Sequence, residues 1–516
     1  MKKRRKSCAF NPRYESPSQG VLAGFETPFE RELDPENRWI VLAHLISWDE
    51  LAGIYRKQVG IPKTGREGLN PRIIIGSLII KYLCHLDDRE TVDRISENVY
   101  MQYFLGYSGF VNEKPFDASL FVEIRKRLGI EVINAMNEKI ISLKTQMNAG
   151  KDRQASHKED VASDKEEDST PQQPNVGNRG RLLMDATACP QDIAYPTDLD
   201  LLSQGREVTE QLIDILYNPG IHSQKPRTYR KVAGKGYLQT AQKKNKSKKV
   251  IRRAVGAQLG YLGRNIRSIH KLLDSYDKIP LKYKYLRCFW IVQTLYDQQL
   301  QMFGNRTHTI EDRIVSIHQA HVRPIVRGKS RAKVEFGAKI HVSVIDGISF
   351  LDELSWDAFN EGSQMESYLE KYRKRFGFYP REVLADQIYC TRANRRMLQE
   401  KGIVLKAKPL GRPSAVTIHV SPGERNPIEG KFGQAKTGYG LNRIKARLKD
   451  TGELWIAGII LALNLVKPAG AALPCLIQKW VVSFSARIVE LFHAGIAYRF
   501  YPLTELRTKI TCSTEG

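Results

Sequence analysis

The chain has 516 residues, a net charge of +25 and a pI near 9.6. That length holds roughly two to four domains with real cores, and the charge calls for a polyanionic partner, nucleic acid before an acidic membrane surface. Seven scattered cysteines with no Cys-x-x-Cys pair exclude a disulfide framework or zinc site, the basic start at 2–6 lacks the apolar run of a secretory signal, and the longest apolar stretch, 454–466, is too short to cross a bilayer.

Residues 1–66 are basic, then Pro-containing and aperiodic. From 69 to 130 the texture is helical. A buried helix is expected from Pro71 to Leu86. Asp87-Asp88 caps a second carrying Val92, Ile95, Val99 and Tyr103. A third runs from Asp117 through Leu128, with Arg125, Lys126 and Arg127 on its exposed side. Short helices ending in cations suit a helical DNA-binding module, and we expect one over 1–148. Residues 149–180 are polar and nearly free of large apolar side chains, the composition of a disordered linker.

At Arg181-Leu-Leu-Met-Asp185 an apolar strand is expected to deliver a carboxylate at its end. Asp192 and Asp198 follow in cap or turn settings, Thr197 or Asp198 capping the next helix. A helical insertion is expected over about 199–320. Within it, 225–253 holds twelve Lys/Arg and no acidic residue, including Lys243, Lys244, Lys246, Lys248 and Lys249. Gly, Ser and Asn interrupt the run, so it is not one long helix, and Tyr229 and Tyr237 are placed to stack on bases. Tyr285, Phe289, Val292, Tyr296, Leu300 and Phe303 recur at steps of three and four, the pattern of a long amphipathic helix.

Beyond Val322 the texture becomes β. Residues 334–345 alternate, Asp346-Gly347 signals a hairpin turn, and a return strand begins at Ile348. Asp346 therefore reads as a turn residue and His341 as packed or paired. A helix over 365–376 ends at Gly377, and Glu382-Val-Leu-Ala-Asp386 is again a short strand running into an aspartate. A helix from 392 to 402 and a strand from 403 come next. In Arg425-Asn-Pro-Ile-Glu429, Asn426 is expected to cap a helix on which Arg425, Glu429 and Lys436 share one face. A basic helix over 440–448 and a buried helix over 453–466 complete the pattern, with 471–516 as a tail.

Without the insertion this order is that of a ribonuclease H-like mixed sheet flanked by helices, spanning 181–470. Its first strand would lie beside its fourth, so Asp185 and Asp386 would emerge together and the last helix would bring Glu429 to the same point. Three carboxylates without histidine favour two magnesium ions, with manganese as a substitute, which activate an attacking oxygen and stabilise the leaving oxygen of a phosphodiester.

The chain resembles the DDE transposases of bacterial insertion sequences, in particular the branch of insertion sequence five. The matching stretches are Asp185-Ala-Thr with Tyr195-Pro-Thr-Asp198, Arg327-Gly-Lys329 with Glu335-Phe-Gly-Ala-Lys339, Trp356-Asp-Ala-Phe-Asn-Glu361, Ala385-Asp386-Gln-Ile-Tyr389 and the Arg425/Glu429/Lys436 segment. Related families often carry a Tyr three residues before that Arg; here position 422 is Pro. The resemblance implies Asp185, Asp386 and Glu429 as catalytic metal ligands. Arg425, Lys431, Lys436, Arg327 and Lys329, with the five insertion lysines, are the expected DNA contacts. It further implies an enzyme of the bacterial cytoplasm and nucleoid. That enzyme would cut DNA at element ends and join the 3′-hydroxyls to target DNA, working as a homodimer with no membrane partner. A DNA-binding protein on a decayed catalytic fold, or a nuclease without strand transfer, are the alternatives.

Overall fold

The computed structural model describes residues 32–59, 68–156, 177–326, 334–407 and 422–466. Arg327, Lys329, the C-terminal tail and linker residues 157–176 lie outside these ranges.

Among the described residues six helices come first: α1 (Arg38–Leu45), α2 (Trp48–Val59), α3 (Pro71–Leu83), α4 (Asp88–Glu97), α5 (Val99–Phe104) and α6 (Leu120–Ser156). Local chemistry sets their starts. Asn70 accepts from Arg72 N ahead of Pro71 in α3, and Asp87 forms a reciprocal capping box with Glu90 in α4. Helix α6 breaks at Gly129, whose φ of 66° is outside the helical range, and continues through 149–156, where a linker is expected from composition.

The sheet opens with β1 (Arg181–Pro190). Four helices follow before the second strand: α7 (Asp198–Leu216), α8 (Arg230–Ala241), α9 (Lys248–Leu273) and α10 (Tyr283–Asn305). Then come β2 (Arg323–Val326), β3 (Val334–Ile345), β4 (Ile348–Ser355), α11 (Met365–Phe376), β5 (Glu382–Leu384), α12 (Arg392–Glu400) and β6 (Val404–Lys406). Helices α13 (Asn426–Gly438) and α14 (Lys449–Val466) close the described chain. Between them, 440–448 is not the helix its basic composition suggests. Gly440 takes φ 70°, Leu441 and Ile444 are buried, and Ile444 forms an isolated bridge with Gln191.

Strand order is β2-β3-β1-β5-β6, with β4 also paired to β3. Strands β1, β5 and β6 are mutually parallel, while β3 is antiparallel to its neighbours. Asp346 and Gly347 both adopt positive φ, 50° and 77°, as a two-residue hairpin turn requires.

Helices α11 and α12 bury one face of the sheet through Met184, Phe350, Tyr368, Leu369 and Tyr389. The other face shares a continuous core with α13, α14 and the six N-terminal helices. That joint is polar as well as apolar. Asn464 of α14 donates to Asn137 of α6 at 2.8 Å and to the Ser349 carbonyl at 2.7 Å, and accepts from Ser349 N at 2.8 Å. Lys81, buried in α3, pairs with Asp88 at 2.9 Å and lies 4.9 Å from the Trp455 ring of α14. Arg125, expected on an exposed face, is instead buried and bidentate to Asp88, both contacts at 2.7 Å. The α7–α10 insertion has a core of its own, built on Leu202, Ile213, Leu262, Ile269 and Val292.

Candidate active site and nucleic-acid interface

The parallel register of β1 and β5 sets Leu183 opposite Leu384. Two residues further on each chain, on the same side of the pleat, stand Asp185 and Asp386. Asp185 is not at the strand's end, as the apolar run before it suggests, because β1 continues to Pro190 in antiparallel pairing with β3. What ends near Asp185 is its parallel neighbour β5, and this opens the sheet beside its carboxylate. Asp386 follows β5 and accepts from Gln387 N at 2.7 Å, capping a short 3-10 turn.

Arg425 joins the two aspartates. Its Nη2 lies 3.4 Å from Asp185 Oδ2 and its Nη1 3.2 Å from Asp386 Oδ1. Its Nε is buried without a partner. The guanidinium is delivered by the start of α13, where Arg425 itself is the N-cap residue and Asn426 the first helical residue, one place earlier than the sequence suggests. Burial raises the carboxyl of Asp185 above the ordinary range. The Ala186 backbone N–H and Arg425 oppose the rise, and the charges of Asp386 and Glu361 add to it.

Glu429 lies one turn beyond Arg425 on α13, exposed, with no hydrogen bond or ion pair to either aspartate. Among the described residues no group of three or more His, Cys, Asp or Glu is gathered tightly enough to hold a metal ion. The expected three-carboxylate cluster is thus present as two aspartates around a guanidinium. The pair itself suits a hard divalent cation, because it supplies two oxygen donors and Asp185 carries a desolvation cost that a cation relieves.

Glu361 is the acidic neighbour that sequence reasoning left without a role. It opens the 3-10 turn Glu361–Gln364, forms an ion pair with Lys339 of β3, and its charge reaches both Asp185 and the buried Tyr389. Its only sequence signal is its place closing the Trp356–Glu361 stretch. Lys431 donates to the Leu463 carbonyl of α14 at 3.4 Å, and Lys436 is half-buried in the last turn of α13. His341 is fully buried between Asp352, 3.3 Å away, and the stacked ring of Tyr368. Asp346 stays in its turn. Asp192 pairs with Arg443, and Asp198 accepts from Gln299 and Arg313.

The basic run folds as two helices. Lys243, Lys244 and Lys246 lie in the connection between α8 and α9, and Lys248 and Lys249 form the first turn of α9. All five are exposed. No acidic residue sits in that first turn, so two ammonium groups add to the positive end of a 26-residue helix. Elsewhere the run is less isolated than its sequence implies. Asp214 of α7 pairs with Lys225 at 2.8 Å and Arg230 at 2.9 Å. Tyr237 is not a stacking platform, because its hydroxyl donates to Asp200 at 2.8 Å and its ring packs on the insertion core. Tyr229 stays partly exposed between Arg227 and Arg264, each 4.6 Å from its ring. In α10 the expected stripe is buried at Phe289 and Val292, but Leu300 is exposed.

Asp185 within β1 and Asp386 just past β5, bridged by Arg425, form the candidate site. Residues 383–466 match the family model of a transposase DDE domain, and residues 27–127 match a second model described as a transposase domain. The chain is also similar to the uncharacterized protein ORF8 in the nfe locus of Rhizobium meliloti, 28% identical over 185 residues, covering 35% of this chain and 75% of that protein. No solved structure matches it. The two family models and this relative together support a DDE transposase of the insertion-sequence type. Among the described residues no helix is long and apolar enough to cross a membrane.

Proposed function

We propose that this transposase binds the ends of its insertion sequence, cleaves the DNA there and transfers the freed 3′-hydroxyls to target DNA, on a ribonuclease H-like sheet. The observation that carries the reading is the placement of Asp185 and Asp386 side by side by the β1–β5 register, with Arg425 between them. The antiparallel β3–β4 hairpin beside parallel β1, β5 and β6 supports the fold assignment.

Asp185, Asp386 and Glu429 are the proposed holders of two divalent ions, magnesium or manganese. Ions bound there would supply charge stabilisation to the attacking and leaving oxygens of a phosphodiester. Glu429 is exposed one helical turn from Arg425, on the same side of α13. Arg425 and Lys436 are proposed to hold phosphate oxygens beside the cut, Arg425 through a guanidinium that can engage two oxygens at once. The exposed lysines at the α8–α9 connection hold the flanking duplex through its backbone. The N-terminal helices are the proposed reader of the element's ends, and the working unit on DNA is a homodimer.

Alanine at Asp185, Asp386 or Glu429 should abolish nicking of a plasmid carrying the element's ends while gel-shift affinity for that DNA stays near wild type. Near-normal cleavage by Asp386→Ala together with an inactive Asp346→Ala would show that the wrong aspartate has been assigned.

A further inference from the structure

We infer that Arg425 is a built-in counter-cation that occupies the space between Asp185 and Asp386 until DNA phosphate draws it away, so that metal loading is coupled to DNA binding. The inference rests on the metal-binding reading of the two aspartates given above.

Two carboxylates brought to one point by strand register repel each other, and Asp185 is largely withdrawn from water. Something positive must sit between them. In the folded chain that something is the Arg425 guanidinium, with one Nη on each aspartate. Its hold is incomplete. Both contacts are longer than a good charge-assisted hydrogen bond, about 2.7–2.9 Å, and Nε is buried with no acceptor. A phosphate offers oxygens to Nε and Nη together, in the planar fork geometry that a guanidinium matches best. Arg425 also stands at the hinge between a 3-10 turn at Pro422–Glu424 and α13, so a side-chain swing needs no rearrangement of the sheet.

A divalent ion and Arg425 therefore compete for the same two carboxylates, while phosphate and the carboxylates compete for Arg425. Both competitions favour one outcome: phosphate and metal bind together more readily than either alone. Coupling of this kind is reciprocal, and typical magnitudes run from about 5-fold to about 150-fold. Free of DNA, the site holds metal more weakly; on DNA it holds it more tightly.

The test is Mn2+ binding by the full-length protein, followed by electron paramagnetic resonance of the free ion, with and without a random-sequence duplex. Wild type should bind Mn2+ about tenfold more tightly when the duplex is present. Arg425→Gln should bind Mn2+ about tenfold more tightly than wild type without DNA, and the duplex should add little further. Arg425→Lys keeps the charge but cannot reach both aspartates at once, so it should fall between the two; it also covers the case in which the Gln variant does not fold. Mn2+ affinity of Arg425→Gln equal to or weaker than wild type, with binding still lost in Asp185→Asn, would overturn the counter-cation and leave the metal site standing. Unchanged binding in Asp185→Asn would overturn the site assignment itself.

Discussion

The exposed lysines of the insertion make a prediction whose size follows from their number and setting. Lys243, Lys244, Lys246, Lys248 and Lys249 are all exposed, and the acidic partner Asp214 is taken up by Lys225 and Arg230. If each of the five meets one phosphate, each contributes about 0.9 to the slope of log affinity against log salt. Changing all five to Gln should therefore lower the slope by up to about 4.5. Across a fourfold rise in salt, from about 50 to about 200 mM, wild type should lose roughly 500-fold more affinity than the variant. Fluorescence anisotropy with labelled duplexes over a salt series measures both quantities. End DNA and random DNA should lose affinity by similar factors, since backbone contacts carry no sequence information directly. An unchanged slope would show that this strip is only a solvated surface. A loss confined to end DNA would show that it reads bases.

Two further outcomes test the fold around the site. Asp88→Asn leaves the ammonium of Lys81 and the guanidinium of Arg125, with side chains 1% and 8% exposed, without their carboxylate. Because Asp88 is itself 27% exposed, the loss should fall near the low end of the range for a broken buried pair, about 3 kcal/mol in urea denaturation, and a loss below about 1 kcal/mol would refute the pairing. Burial holds the folded-state carboxyl of Asp185 above its ordinary 3.8, so the folded chain binds that proton more tightly than the unfolded chain. Its contribution to stability should decline as pH rises from near 3.8 through the raised folded value, then level off. Asp185→Asn should remove that decline from a metal-free pH series of denaturation midpoints, and an identical pH dependence would refute it.

What the sequence makes legible is what short-range chemistry decides. Asp346-Gly347 predicts the hairpin turn, Gly377 the end of α11 at φ 83°, and Asp87 with Glu90 the start of α4. Apolar runs predict β5 and α14, and the order of elements predicts that Asp185 and Asp386 meet. Contacts between distant residues decide the remainder. Arg125 reads as exposed because its partner Asp88 lies 37 residues away on another helix. Tyr237 reads as free because Asp200 is 37 residues back. Residues 440–448 look like a basic helix, but the demand to bury Leu441 and Ile444 in the main core beside the end of β1 overrides local propensity. Arg425 reads as a phosphate contact, and its position on both aspartates needs two strands and a helix start to be in place at once.

The core shared by α3, α6 and α14 sets a clock on synthesis. Helix α6 ends at Ser156, but Asn464, which bonds it, and Trp455, which covers Lys81 of α3, lie about 300 residues later in the chain. At ribosomal rates of about 5–20 residues per second, that is a wait of roughly 15–60 s. Throughout it the N-terminal helices carry an uncovered apolar face on the nascent chain. The N-terminal helices and the sheet thus reach their finished state together, once residues 449–466 have left the ribosome.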